Sequence, residues 1–363
     1  MKRILHIIGA MDRAGAETMV MNLYRAVDRT QFQFDFLYFT DKKCDFDEEI
    51  IAFGGAIYRV SNSGLLGRSI ETYKFLKENK QFHAIHSHTL LNNGFNLLAA
   101  FMAGFKIRIA HSHNTTNGIE KSISQKLYYV FSKFLINKFG TVFIACGKEA
   151  GEYLFYKNKK VIVLPNAVDF KMFTKNVKKP FLRKLLNISN ECLLICQIGR
   201  LQSVKNHEFT IRLAQYMKIE AFNFHFAIIG NGVFEEQLID LTRKLNIDDK
   251  ITFLGLRSDI PEILSESDVM IMPSFYEGFP VVLVESQVAG IPAVISSTIA
   301  TEVDLGIDLV NFESLDSDYK VWAEKLIAIR FSKKGGDMTY LKVLKDKGYD
   351  IHENVKELIK IYN

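Results

Sequence analysis

Short apolar runs at residues 4–8, 34–39, 56–60, 84–86, 107–110, 142–145 and 161–164 recur through the first part of the chain, with helix-length segments between them. Runs that are apolar without alternation are strands buried on both faces, and strands separated by helices are parallel. The pattern predicts an open, doubly wound α/β sheet. The same rhythm restarts at 193–199 and continues through 224–230, 251–254, 269–272 and 293–295. A chain of 363 residues is longer than one core usually grows. Two Rossmann-like domains are therefore expected, at 1–170 and 188–345, with the Lys-rich residues 171–184 as linker. Beyond Asp316 the chain reads as helices at 319–330, 337–345 and 352–362.

Ligands of such sheets meet the loops at the carboxyl ends of the strands. After the first strand comes Gly9-Ala10-Met11-Asp12-Arg13-Ala14-Gly15-Ala16-Glu17, a loop that lets backbone approach a ligand and feeds a helix at Gly15. It is not GxGxxG, and by spacing alone a plain strand-to-helix turn is the first reading. His86-Ser87-His88 and His111-Ser112-His113-Asn114 place pairs of histidines two apart, on one face of a strand. Carboxylate or cysteine ligands at matching spacing are absent, so no metal is expected. These imidazoles are either ligand-binding donors and acceptors at strand ends or satisfied core histidines.

In the second half, Gly199-Arg200-Leu201-Gln202-Ser203-Val204-Lys205-Asn206 follows a strand. A guanidinium that forks onto phosphate oxygens and an ammonium five residues later can jointly neutralise a diphosphate. Gly230-Asn231-Gly232 and Phe253-Leu254-Gly255-Leu256-Arg257 end the next two strands; Arg257 reads either as a ligand contact or as a surface residue. The stretch 276–285, YEGFPVVLVE, then leads a loop into a helix N-terminus. Gly278 opens the turn, Phe279 and Pro280 enter the helix, and Pro suits a first turn. Free backbone N–H groups there can hold a phosphate or polar sugar, with Glu277 before the helix and Glu285 inside it offering carboxylates at two depths. A capped helix with solvated glutamates is the alternative.

Charge and cysteines bound the partners. A net charge of +5, spread along the chain, does not argue for nucleic acid. Four cysteines without a CxxC pattern read as reduced thiols in a cytoplasmic protein. No apolar run approaches the roughly 18 residues of a membrane span, and the N-terminal run reads as a buried strand rather than a signal peptide. Residues 119–140 carry Lys121, Lys126, Lys133 and Lys138 around Ile123, Leu127, Val130, Phe131, Phe134 and Leu135. Packing of that stripe on the sheet is the first reading; contact with an anionic lipid surface, helped by further lysines at 157–160 and 178–184, is the second.

Glu277 and Glu285, separated by seven residues, with the Gly-Arg-Leu…Lys-Asn loop at 199–206, resemble the retaining glycosyltransferases of the large family 4 type. Leu164-Pro165-Asn166-Ala167-Val168-Asp169 is similar to that family's strand-end Pro-Asn-Gly-Val-Asp, with Ala167 replacing glycine. Ala14-Gly15-Ala16-Glu17 is similar to its Gly-Gly-Ala-Glu, with the first glycine lost. The resemblance spans nearly the whole chain and implies the GT-B fold, two Rossmann-like domains facing a central cleft. It implies an acceptor-binding N-terminal domain, a nucleotide-sugar-binding C-terminal domain, and a terminal helix at 346–363 returning to the first. It further implies transfer from a nucleotide-sugar, a UDP-sugar, to a glycan or polyprenyl-diphosphate-linked acceptor, in the exopolysaccharide and capsule branch, with no metal cofactor.

On that resemblance Glu277 holds the donor sugar, His111 (with His113 second) lies beside it, and Glu285 binds ribose. Arg200 and Lys205 take the diphosphate; Gly15, Gly199, Gly230, Leu254, Gly278, Phe279 and Pro280 complete the donor site, and Glu302 supports it. The expected location is cytoplasmic, with peripheral contact to the membrane. A non-hydrolysing UDP-sugar epimerase, a nucleotide-sugar-binding protein without turnover, and, against the missing GxGxxG, a dinucleotide oxidoreductase are the competing readings. Donor sugar, acceptor, linkage and oligomeric state are not legible.

Overall fold

A computed structural model of the chain describes residues 1–60, 64–113, 122–174, 181–332 and 339–363. Lys121, Asn114 and the lysines at 178 and 179 lie outside the described residues. The chain forms two compact units, Met1–Ala167 with Gly348–Asn363, and Val168–Lys347.

The first unit is built on seven strands: β1 (Lys2–Ile7), β2 (Phe32–Tyr38), β3 (Ile57–Arg59), β4 (Phe82–Ser87), β5 (Ile107–Ser112), β6 (Val142–Ala145) and β7 (Val161–Val163). They lie in the order β3-β2-β1-β4-β5-β6-β7, all parallel. Alternate residues of each strand face opposite sides. Ile4, Phe34, Phe36, Ile109 and Ile144 face a core shared with Met19, Leu23 and Tyr24 of the helix Gly15–Ala26 and with Val355, Leu358 and Tyr362 of the helix Ile351–Tyr362. Leu5, Ile7, Leu37 and Ile85 face the other side, where Leu76, Ala99 and Ala100 cover them. The last helix is held at its end as well: the Lys2 ammonium donates to the Tyr362 carbonyl at 3.2 Å, and Asn354 Nδ2 donates to the Pro165 carbonyl at 2.7 Å.

The second unit carries β8 (Leu193–Ile198), β9 (Phe224–Ile229), β10 (Ile251–Phe253), β11 (Val269–Met272), β12 (Ala293–Ser296) and β13 (Val310–Glu313). Their order is β10-β9-β8-β11-β12-β13, again parallel. The strand β13 has no counterpart in the sequence reading. It lies at the sheet edge, where Asn311 is exposed and the Glu313 carboxylate pairs with Lys325, so its pattern is not that of a buried strand. The core packs Ile195, Phe226 and Ile228 against Leu213, Met217 and Trp322.

Two expectations change. Residues 171–184 are not simply a linker. Short helices at Phe170–Phe173 and Leu182–Leu185 belong to the second unit, and the Glu266 carboxylate accepts the N–H groups of Phe181, Leu182 and Arg183, anchoring the second of them. The stripe on the helix Ile123–Phe139 does not pack on the sheet. Ser132, Leu135, Ile136 and Asn137 form its buried face, while Ile123, Leu127, Val130, Phe131 and Phe134 are exposed. Met102 and Phe101 of the helix Asn93–Met102 are exposed beside it, with the Phe101 ring 5.1 Å from that of Phe139. Among the described residues no helix is long and apolar enough to cross a membrane.

Candidate active site

In the second unit the winding of the sheet reverses between β8 and β11, with β9 and β10 to one side and β12 and β13 to the other. Loops leaving adjacent strands diverge there and open a crevice at the carboxyl ends. The loop after β8 carries Arg200 and Lys205; the loop after β11 carries Glu277.

The structure brings Lys205 and Glu277 into direct contact. The ammonium lies 2.6 Å from Glu277 Oε1, and the Ser274 hydroxyl donates to the same oxygen at 2.7 Å. The side chains are 20% and 10% exposed, so the pair is largely withdrawn from water but open on one side. Backbone and side chains clasp the loops around it. Phe275 N–H donates to the Val204 carbonyl at 2.9 Å, Asn206 Nδ2 to the Pro273 carbonyl at 3.0 Å, and the Thr298 hydroxyl to the Ser274 carbonyl at 3.0 Å. Asn206 holds a left-handed conformation, φ 53°, which Asn tolerates better than most residues. Arg200 is exposed, and among the described residues it has no ion-pair partner.

The glycines shape the floor. At Gly230, φ 138°, a Cβ would stand 2.1 Å from the Gly199 carbonyl oxygen, so only glycine lets the β8 and β9 loops touch. A Cβ at Gly232 would stand 2.3 Å from the Leu201 carbonyl oxygen. Gly199 lies against the aliphatic stem of Lys205, where a Cβ would meet Cε at 3.3 Å. Leu254 continues β10 through a 2.8 Å bond to the Ile228 carbonyl, and Gly255 accepts from the Gly230 N–H at 2.9 Å. Arg257 pairs with Asp259 at 2.8 Å and lies over the Phe181 ring.

The helix behind Glu277 runs Val281–Val288. Pro280 is its N-cap rather than a residue of its first turn, so the helix begins one step later than the sequence suggests. Gly278 and Phe279 are half-buried in the approach, and Glu285 is half-buried inside the helix. Glu302 is exposed in the short helix Thr301–Val303. His207, which the sequence reading passed over, is buried beside Lys205. Burial, with the Lys205 charge second, lowers it to about 4.

In the first unit Gly15 opens its helix after Ala14, which offers no side-chain cap. Both histidine pairs sit where their strands run out: His86 and His111 are the next-to-last residues of β4 and β5, and His88 and His113 follow just past the strand ends. His111 lies inside β5, fully buried, and joins His6 of β1 with His86, His88 and His113 in one stacked group at the winding reversal of that sheet. Ring nitrogens face one another: His88 Nε2 to His6 Nδ1 at 2.9 Å, His88 Nδ1 to His113 Nε2 at 2.8 Å, and His86 Nε2 to His111 Nδ1 at 3.2 Å. His86 Nδ1 meets the Tyr362 hydroxyl at 2.7 Å. Burial lowers His6 to about 3 and His113 to about 4, and burial first and the neighbouring rings second hold His86, His88 and His111 well below the usual histidine value. The rings are therefore neutral at pH 7. His6, His86 and His88, and likewise His88, His111 and His113, bring ring nitrogens within 4.8 Å of one another. The ligand atoms of a tetrahedral ion, each about 2.1 Å from it, stand about 3.4 Å apart, close to these separations, so either trio also has the spacing to hold an ion. Sequence reasoning saw the HxH patterns but not His6 or Tyr362, which join from 80 or more residues away in sequence.

Comparison with known proteins fits this architecture. The family described as "Glycosyltransferase Family 4" matches residues 13–171, and that described as "Glycosyl transferases group 1" matches residues 178–312. EpsF of Bacillus subtilis, whose glycosyltransferase activity is itself an assignment, is 37% identical over 372 residues, covering 100% of this chain and 96% of its own. An Escherichia coli UDP-Gal:alpha-D-GlcNAc-diphosphoundecaprenol alpha-1,3-galactosyltransferase is 29% identical over 236 residues, 63% of this chain and 61% of that one. Among solved structures, Anabaena HepE in complex with UDP and glucose superposes with a TM-score of 0.80 at 17% identity, over 99% of both chains. The chain belongs to the family 4, group 1 glycosyltransferases and has their two-domain GT-B fold.

Proposed function

We propose that this enzyme is a retaining glycosyltransferase that moves a sugar from a UDP-sugar to a glycan or polyprenyl-diphosphate-linked acceptor in cell-surface polysaccharide synthesis. The observation that carries the reading is the Lys205–Glu277 contact at the winding reversal of the second sheet, with Arg200 exposed on the same loop. A diphosphate entering that crevice meets the Arg200 fork and the Lys205 ammonium, while Glu277 accepts from hydroxyls of the attached sugar. Glu285 takes the ribose diol and the backbone at Leu254–Gly255 the base. In the first unit, His111 serves the donor sugar and Gly15 the phosphate side.

As the bond to the sugar breaks, negative charge grows on the departing diphosphate. Arg200, Lys205 and the N–H groups at the start of the helix Val281–Val288 stabilise it there without reorganising. Neither glutamate is assigned as a covalent nucleophile. Support for the substrates comes from the names above: the E. coli relative uses UDP-Gal and a diphosphoundecaprenol-linked acceptor, and HepE was solved with UDP and glucose.

The test is Arg200→Ala with Lys205→Ala. The double variant should keep its fold and lose about 2–4 kcal/mol of transition-state stabilisation, together with calorimetric UDP affinity. Unchanged turnover on the donor and acceptor found by product mass screening refutes the assignment. Interconversion of UDP-sugars without any acceptor would select the epimerase instead.

A membrane-bound acceptor suits the first unit. Five exposed apolar side chains on the helix Ile123–Phe139, with Lys126 and Lys138 exposed beside them, form an interfacial face drawn to anionic headgroups. Lys133 is not part of that face in the same way, since its ammonium donates to the Tyr153 carbonyl at 2.7 Å.

A further inference from the structure

The Tyr362 ring is fully buried, and among the described residues its hydroxyl meets one partner, His86 Nδ1 at 2.7 Å. A phenol O–H is a stronger donor than an imidazole N–H, and an imidazole nitrogen a stronger acceptor than a phenol oxygen, so Tyr362 donates and His86 Nδ1 accepts. A neutral imidazole carries a single N–H. With Nδ1 accepting, the His86 proton is on Nε2, which faces His111 Nδ1 at 3.2 Å. His111 Nδ1 must then accept, and the His111 proton is left on Nε2. That atom is buried and has no partner among the described residues.

From these contacts we infer that the terminal helix, through Tyr362 and His86, locks His111 as its Nε2–H tautomer, so that the buried Nε2 edge of the ring, which no described residue satisfies, carries a hydrogen-bond donor and not a base. The ligand group it fits is an acceptor oxygen, such as a sugar hydroxyl or ring oxygen. Tyr362 and His86 are positioning residues that act through His111. The neutral state that the relay requires agrees with the lowered pKa of both rings and the raised pKa of the Tyr362 hydroxyl, each caused first by burial. The neighbouring chain His6–His88–His113 has no such fixed end. Either direction of its two bonds is allowed, and both its outer nitrogens, His6 Nε2 and His113 Nδ1, lack partners among the described residues.

The catalytic consequence rests on the placement of His111 at the donor sugar proposed above; the tautomer itself does not. The experiment uses full-length enzyme labelled with 15N-histidine. Long-range proton–nitrogen spectra are recorded for the wild type and for Tyr362→Phe, with His111→Gln supplying the assignment. In the wild type His111 should be the Nε2–H form. In Tyr362→Phe the fixed donor is gone and His111 should become a mixture of both tautomers, with kcat falling by about threefold to tenfold, the range of one neutral hydrogen bond, and the donor KM little changed. A wild-type His111 in the Nδ1–H form overturns the relay, and that measurement stands even if the variant fails to fold. Stoichiometric zinc or nickel in the purified protein also overturns it, because the nitrogens would then be ligands. A tautomer shift with unchanged turnover supports the relay and removes His111 from the donor site.

Discussion

Acidification to pH 5 is expected to unfold the first unit ahead of the second. Its five stacked histidines are neutral in the fold, with His6 lowered to about 3 and His113 to about 4 by burial. Unfolded, each returns to about 6.5. Between those values the unfolded chain binds protons that the folded chain does not, so stability falls as pH drops below about 6.5 and is level above about 7. For one ring with a folded value near 4, about 1.5 pH units separate pH 5 from the unfolded value, and the loss there is about 2 kcal/mol. His6 and His113 together then remove about 4 kcal/mol, against about 5–15 kcal/mol for a whole domain. His86, His88 and His111 add losses in the same direction.

The second unit has two such rings, His207 and His225, each lowered to about 4 mainly by burial. Carboxylates do not confuse the window. Asp249, Asp259 and Glu313 are lowered as well, so their stabilisation is lost only as pH falls below about 4.5. The single tryptophan, Trp322, is buried in the second unit and makes its fluorescence a reporter of that unit alone. Urea titrations at pH 7.5 and pH 5 should show circular dichroism and fluorescence parting at the lower pH, with the dichroism changing first. Equal urea midpoints at both pH values, or a fluorescence transition that comes first, refute the reasoning.

Three further outcomes are expected. Gly230→Ala drives a Cβ into the Gly199 carbonyl at a φ of 138° and should destabilise the second unit by about 3 kcal/mol or more, read as a fall in the melting temperature by Trp322 fluorescence; an unchanged melting point counts against the close approach. If the Arg200–Lys205 pair supplies the cationic charge, a chelator should leave transfer largely intact, and a strict Mg²⁺ or Mn²⁺ requirement would overthrow that assignment. Leu127→Ser with Phe131→Ser removes exposed apolar surface without touching the core and should weaken co-sedimentation with anionic vesicles at low salt while sparing UDP binding; equal co-sedimentation returns the helix to an ordinary surface.

Local signals carried most of the architecture. Each of the twelve strands read from apolar-rich runs is present, with ends moved by at most two residues; the central ones are buried on both faces and carry that mark in their own composition, and even the edge strands β3, β7 and β10 keep mostly apolar runs. The edge strand β13 leaves no such mark, since Asn311 and Glu313 face solvent or an ion pair. On the helix Ile123–Phe139 the periodicity was legible but its direction was not. An apolar stripe looks the same whether it meets a core or solvent, and here the narrower face of Ser132, Leu135 and Ile136 packs inward, against the helix Asn93–Met102. Individual candidates at the crevice could be named from motifs. Their pairing could not: Lys205 and Glu277 are 72 residues apart, and the bond that clamps one to the other depends on which strands become neighbours. The histidine relay was hidden for the same reason, because its members come from two strands, β4 and β5, and the last turn of the last helix.

That last turn also dictates an order of assembly. The face of the first sheet that carries Phe34 and Phe36 is closed partly by Val355, Leu358 and Tyr362, so a ribosome that has made residues 1–167 has made an unfinished domain. The second unit lies within a single stretch of chain, 168–347, and can complete its core first. During synthesis the N-terminal half must wait with apolar surface uncovered for about 180 residues more, at roughly 5–20 residues per second. Chains truncated before residue 351 should therefore depend on chaperones and aggregate, although every residue of the first sheet is present.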